Sequence, residues 1–184
     1  MLVALVLGMG LPTTAAYVLT SISAAPVLLL IGVNMLSAHM FVFYFGVMSA
    51  LTPPVATGAF TAAAIAQANP TKLMLLATRM ALSGFFIPFM FIYDSNLLIT
   101  ESFVPLLGAL SFVSVAFGIT AVSAVFEGCF VGGRLSPLEV LFMVIGTALT
   151  FYTNPISKLF GMIIIVAVAI NNYKKYNAKK ESYV

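Results

Sequence analysis

Two consecutive prolines inside an apolar stretch set the strongest limit on what this chain can fold into. Residues 39–58 read HMFVFYFGVMSALTPPVATG, with apolar residues on both sides of Thr52-Pro53-Pro54. Successive prolines remove two backbone N–H donors and clash with the preceding turn. The residue before a proline is pushed away from helical angles as well. A helix running through this stretch therefore breaks at Leu51–Val55. In water the break would be an ordinary loop. In a bilayer the freed carbonyls and amides need partners, and broken backbone persists only where protein or a watery cavity covers it. With Ser49, Thr52, Thr57 and Gly58 around it, the break has the makings of a site built from backbone oxygens and small hydroxyls. Secondary transporters hold ions and substrates at discontinuous helices of this kind.

Composition requires the bilayer. Hydrophobic residues make up 62% of the 184 positions and charged residues only 7%, with a mean hydropathy of +1.14. Soluble domains carry roughly a quarter charged residues. The apolar runs are continuous and do not alternate, which favours helices over a barrel. The expected fold class is therefore all-α, a polytopic transmembrane helical protein with discontinuous helices. At roughly 20 residues per span, six to seven membrane segments fit. The net charge is +3, but four lysines lie in the last eleven residues. That charge is a tail and not a nucleic-acid surface, so the expected surroundings are lipid. A single cysteine, Cys129, excludes an internal disulfide and a cysteine metal site, and a single histidine, His39, excludes a histidine cluster. The opening MLVALVLGMG has no positive n-region and no small-residue cleavage site, so it reads as a chain entered partway through a helix and not as a signal peptide. Tryptophan is absent, leaving Tyr93, Tyr173, Tyr176 and Tyr183 as rim anchors.

A second interruption lies near the start. MLVALVL is half a helix, GMGLPTT interrupts it, and AAYVLTSISAAPVLLLIGV continues. Gly8 and Gly10 permit unusual backbone angles and close approach. Pro12 suits the first turn of the next helix, beside Thr13 and Thr14. Carbonyls at the end of one half-helix suit cations, and N–H groups at the start of the next suit anions. Two readings stand side by side, a plain Pro/Gly kink and a binding site. A matching interruption later in the chain favours the site.

The remaining segments read simply. Gly32-Val33-Asn34 is a turn, and 36–51 and 55–67 are the arms around the diproline, forming a re-entrant hairpin or one broken span. His39 reads as a rim histidine bonded to a neighbouring carbonyl in preference to a proton relay, because no carboxylate is near in sequence. Leu73–Tyr93 is a span, with Arg79 read as snorkelling to the rim of Lys72 in preference to pairing with a carbonyl or an anion inside the bundle. Asp94 and Glu101 share a polar loop. Phe103–Phe126 is a span whose glycines and serines suit close packing, with Glu127 at its rim and Gly128, Gly132 and Gly133 following. Leu138–Thr153 and Leu159–Ile170 flank Asn154-Pro155 as a tight hairpin or as interfacial helices. The polar tail is expected to fray. Counting spans back from a cytoplasmic tail puts Lys72 and Arg134 inside and Asp94 and Glu101 outside. The domain division expected is 1–98, with both broken helices, then 99–173 as C-terminal transmembrane helices, then the basic tail 174–184. His39, Cys129 and Glu127 are scattered, so no nucleophile–base pair points to an enzyme.

GMGLPTTAAY (8–17) and HMFVFYFGVMSALTPPVATGAFTAAAIAQANP (39–70) together resemble the C-terminal half of the large membrane subunit of tripartite ATP-independent periplasmic (TRAP) transporters. KLMLLATRMALSGFFIPFMFIYDSNLL (72–98) is similar to the fused 4TM/12TM, TAXI-associated branch of that DctM-like family. The resemblance covers about residues 2–98. It implies one of two inverted repeats of an ion-transporter-type fold and an elevator-like motion. It also implies sodium as coupling ion, with no other cofactor. The implied partners are a TAXI-type periplasmic binding protein delivering a carboxylate-class solute, and the rest of the permease, namely the first repeat and the small-subunit region. The implied location is the cytoplasmic (inner) membrane of a bacterium or archaeon. The implied ion-binding residues are Gly8, Gly10, Thr13 and Thr14 from the first motif and Ser49, Thr52 and Pro53 from the second, the last three acting through their backbone carbonyls. Pro12 stands where many related permeases carry an aspartate. A complete fused permease carries the whole first repeat upstream of these motifs, so the chain is expected to be a fragment. The alternatives are a structural or assembly subunit, or a truncated remnant without transport activity.

Overall fold

The computed structural model describes residues 1–99, 103–131 and 133–181. Glu101, Gly132 and Tyr183, which carried expectations above, lie outside those residues. The chain is all-α and divides into two units, residues 1–100 and 101–184.

The first unit opens with α1 (Leu2–Gly8) and α2 (Thr13–Leu30), separated by the GMGLP interruption. Next come α3 (Met35–Met48), a short 3-10 turn at Ser49–Leu51, the diproline break, and α4 (Thr57–Ala66). Asn34 caps α3 by accepting from the Leu36 amide at 2.9 Å. Asn69 does the same for α5 (Pro70–Ala81), accepting from the Lys72 amide at 3.1 Å, with Pro70 in the first turn. The core forms where α1, α2 and α3 meet α6 (Ile87–Tyr93). Phe45 is fully buried at its centre. Its ring lies 4.8 Å from that of Phe41 and 5.9 Å from that of Phe89, both edge-on, the arrangement aromatic quadrupoles prefer.

The expected unbroken span Leu73–Tyr93 is instead α5, a 3-10 stretch at Leu82–Phe86, and α6. Pro88 supplies the reason. Its ring collides with the carbonyl four residues back, at Gly84, and it offers no amide to that turn. The piece from Pro70 to Tyr93 is still long and apolar enough to cross a membrane.

The second unit is a three-helix hairpin stack of α7 (Pro105–Glu127), α8 (Pro137–Phe151) and α9 (Pro155–Glu181). Between α7 and α8 runs a two-residue ribbon, Cys129–Phe130 against Gly133–Arg134. Ser136 and Glu139 form a reciprocal capping box at the head of α8. Met143, Ile165, Ala121, Ala124 and Val168 build the core. Gly146 on α8 faces Gly161 on α9, and the absence of side chains lets the two backbones nearly touch. A buried lysine, Lys158, donates to the buried Ser111 hydroxyl at 2.7 Å and so ties α9 to α7.

The tight hairpin around Asn154-Pro155 is present, but the expectation that the tail frays is corrected. α9 continues without a break to Glu181. Side chains beyond Ile170 explain this, because Asn171 and Lys175 both donate to Glu139, at 2.7 and 2.6 Å, and Asn172 donates to the Arg134 carbonyl at 3.2 Å. Among the described residues four helices reach spanning length, and three more apolar helices are shorter. Against the six or seven membrane segments expected, four of the described helices have the length and composition to cross.

Candidate functional site

The two interruptions meet in space. Gly8 ends α1 against the last turn of α3, and a Cβ built there would stand 2.7 Å from Ser49 Oγ and 3.0 Å from the Gly46 carbonyl oxygen. No side chain fits that contact. Gly10 follows with φ +74°, the left-handed region where a Cβ is strained, and lies beside Val55 in the second break. The glycines of the first motif therefore serve different ends, space at Gly8 and backbone angle at Gly10.

The second break folds back on itself through small hydroxyls. Ser49 is buried and donates to the Gly46 carbonyl at 2.5 Å. Thr52 is buried too, and its hydroxyl reaches the Ser49 carbonyl at 3.5 Å. The Ala56 amide closes the loop onto the Thr52 carbonyl at 3.1 Å, spanning a cis Pro53–Pro54 bond. Ala56 itself sits at φ 42°, which turns the chain into α4. From α5, Thr78 donates to the Leu51 carbonyl at 3.2 Å and to the Met74 carbonyl at 2.9 Å. The freed backbone is thus largely satisfied by hydroxyls and one local amide, as a low-dielectric setting demands. Each of these carbonyls has a second lone pair.

The sequence candidates fall into two groups. Gly8, Ser49 and Thr52 are buried around one contact, Gly10 lies beside Val55, and Pro53 is half-buried in the same loop. Thr13 and Thr14 are exposed on the first turn of α2. Thr78 binds the second break without having been a candidate, and a threonine inside an amphipathic helix gives no local signal of that contact. Among the described residues no group of three His, Cys, Asp or Glu side chains could hold a metal ion. The break offers neutral oxygens only.

His39 has a partner from another helix. Its Nδ1 lies 3.1 Å from the Tyr17 hydroxyl, which replaces the carbonyl partner expected for a rim histidine. Phe43 packs edge-on against the same tyrosine at 5.6 Å. The pair clamps α2 to α3 on the side where the first helix resumes. Tyr17→Phe is expected to cost about 0.6–1 kcal/mol, the usual worth of an interhelical hydrogen bond in a membrane. Thermal unfolding of the purified chain in detergent checks it. An unchanged midpoint, with the same result in a His39→Phe background, would remove the clamp.

The chain was compared with known proteins. The family described as "Tripartite ATP-independent periplasmic transporter, DctM component" matches residues 1–107, a stretch that contains both breaks. No curated protein and no solved structure matches.

Proposed function

Because the chain belongs to the DctM component family of tripartite ATP-independent periplasmic transporters, we propose that its first unit supplies half of a sodium-coupled transport site. It works by coordination and conformational change. The full transporter takes up a small organic solute of the carboxylate class, handed over by a periplasmic binding protein of the TAXI type. It lies in the cytoplasmic membrane, and this chain acts together with the first repeat and the small-subunit region of the permease. The observation that carries the reading is the seat of Gly8 against Ser49, which joins two discontinuous helices inside the family-matched stretch.

The donor chemistry agrees with a monovalent coupling ion. Carbonyls of Gly46, Ser49 and Leu51 and hydroxyls of Ser49 and Thr52 are hard oxygen donors without formal charge. A divalent ion of that hardness ordinarily draws carboxylates, and none of the donors here is one. Thr13 and Thr14 stand exposed at the resumed helix, with its N–H groups beside them. Their exposure supports a contact with the solute's carboxylate or with the other half of the permease.

Thr52→Val keeps the shape and removes one oxygen. In the assembled transporter, reconstituted with its binding protein, it is expected to weaken sodium dependence of uptake about tenfold, the usual worth of a group that orients an ion's ligand. Thr13→Val is expected to alter solute affinity with little change in sodium dependence. Sodium dependence unchanged in a well-folded Thr52→Val transporter would sink the site and leave a structural role for the breaks.

A further inference from the structure

A groove between α8 and α9 belongs wholly to the second unit and lies outside the family-matched stretch. Its volume is about 470 Å³. Leu138 and Phe142 on α8 and Ile164 and Ala167 on α9 line its apolar length, and Glu139 and Lys175 close one end. Leu138 and Phe142 remain 69% and 50% exposed, so their own unit does not fill it. A groove of this kind between apolar helices of a membrane protein meets acyl chains. Its polar end decides which lipid is held.

Glu139 is fully engaged there. Oε1 accepts from Lys175 Nζ at 2.6 Å and from Asn171 Nδ2 at 2.7 Å, and Oε2 accepts from the Ser136 amide at 2.8 Å. It stands in the capping turn at the head of α8. Its charge is answered before any ligand arrives. Lys175 is not used up. An ammonium has three donors, and this side chain is 55% exposed. Lys174 is exposed beside it. Lys179 and Lys180 follow in the sequence, so residues 174–184 carry four lysines and one glutamate. Juxtamembrane lysines of this density attract anionic headgroups. A zwitterionic headgroup brings its own cation and gains less.

We propose that the α8–α9 groove holds one acyl chain of an anionic phospholipid, with the lipid phosphate on the outward face of the Lys175 ammonium. The site joins an apolar channel to a cation held by Glu139, whose carboxylate Asn171 holds in turn. It needs no part of the transport mechanism.

The chain has no tryptophan, which makes a direct test possible. Phe142→Trp places a single fluorophore in the groove. Phe112→Trp, at a position 70% exposed on α7, reports ordinary lipid contact. The full chain is reconstituted in bilayers of phosphatidylcholine mixed with brominated phosphatidylglycerol, or with brominated phosphatidylcholine as the reference. For the groove fluorophore the anionic lipid is expected to bind about fivefold more tightly than the zwitterionic one, the worth of one surface lysine. For the α7 fluorophore the two should be equal. In the Phe142→Trp background, Lys175→Gln should abolish the preference and Lys175→Arg should keep it. Lys174→Gln, which touches no described fold contact, should weaken it and covers the case in which Lys175→Gln fails to fold. Equal quenching of the groove fluorophore by both lipids, or a preference untouched by both glutamine variants, overturns the proposal and reduces the groove to general lipid contact.

Discussion

Gly161→Ala is expected to push α9 off α8 and to cost about 3 kcal/mol, the upper end for forcing atoms into a packed contact. A Cβ at 161 would stand 2.6 Å from the Gly146 carbonyl oxygen and 2.7 Å from the Thr150 amide nitrogen. Both are backbone atoms, so no rotamer change relieves the clash and a whole helix must shift. The displaced helix carries Lys158 away from Ser111 and Lys175 away from Glu139. Gly118 gives the contrast. Its added Cβ would meet the Phe151 ring and the Thr150 hydroxyl, which are side-chain atoms able to turn aside. Gly118→Ala is therefore expected to cost about 1 kcal/mol. Thermal or denaturant unfolding in mild detergent, with the two variants side by side, gives the comparison. Equal losses would mean that α8 and α9 are not held at backbone distance.

Gly8→Val is expected to abolish sodium-dependent uptake and to destabilise the first unit by about 2–3 kcal/mol. The side chain would enter the space of Ser49 Oγ and the Gly46 carbonyl. Ser49 is buried and already donates to that carbonyl, so it has nowhere better to go. The two breaks must then separate, exposing the carbonyls that their contact covers. The compensating variant is Ser49→Gly, which removes the hydroxyl and the Cβ that the intruder meets first. Gly8→Ala with Ser49→Gly should regain at least half of the stability lost by Gly8→Ala alone. A double-mutant cycle on unfolding free energy measures the coupling. Strict additivity would show that the contact is not where the strain arises, and normal uptake by Gly8→Val would detach the contact from transport.

Both breaks were legible because proline and glycine act on the backbone within a residue or two. Pro53 and Pro54 stop α3 wherever it sits, and Gly10 requires a positive φ of its own. The all-α membrane class followed from continuous apolar runs for the same local reason. Contacts between distant positions were not legible. Thr78 and Leu51 lie 27 positions apart, and Lys158 and Ser111 lie 47 apart. Lys158 is visible as a lysine beside an apolar run, but only its packing shows that it is buried and not at the rim. Pro88 shows the opposite error. Hydropathy reads Leu73–Tyr93 as one span, yet the missing amide and the crowded Gly84 carbonyl turn its middle into a 3-10 stretch. The tail composition suggested solvent, because polar residues are read as solvated until a partner is known. Glu139 and the Arg134 carbonyl are those partners. Thr13 and Thr14 are close to the first break in sequence but exposed on the first turn of α2, whereas Gly8, Ser49 and Thr52 are buried.

The Thr78 hydroxyl carries a single hydrogen and faces two acceptors, Leu51 O and Met74 O. Swinging one O–H bond, a motion of picoseconds to nanoseconds, hands that hydrogen from the break to the helix's own backbone. The break can then part from α5 while the threonine keeps a full hydrogen bond at every stage. Such an exchange makes the junction a clasp that opens by substitution of one acceptor for another, held firmly when closed and nearly free of enthalpic penalty, on the α5 side, when released.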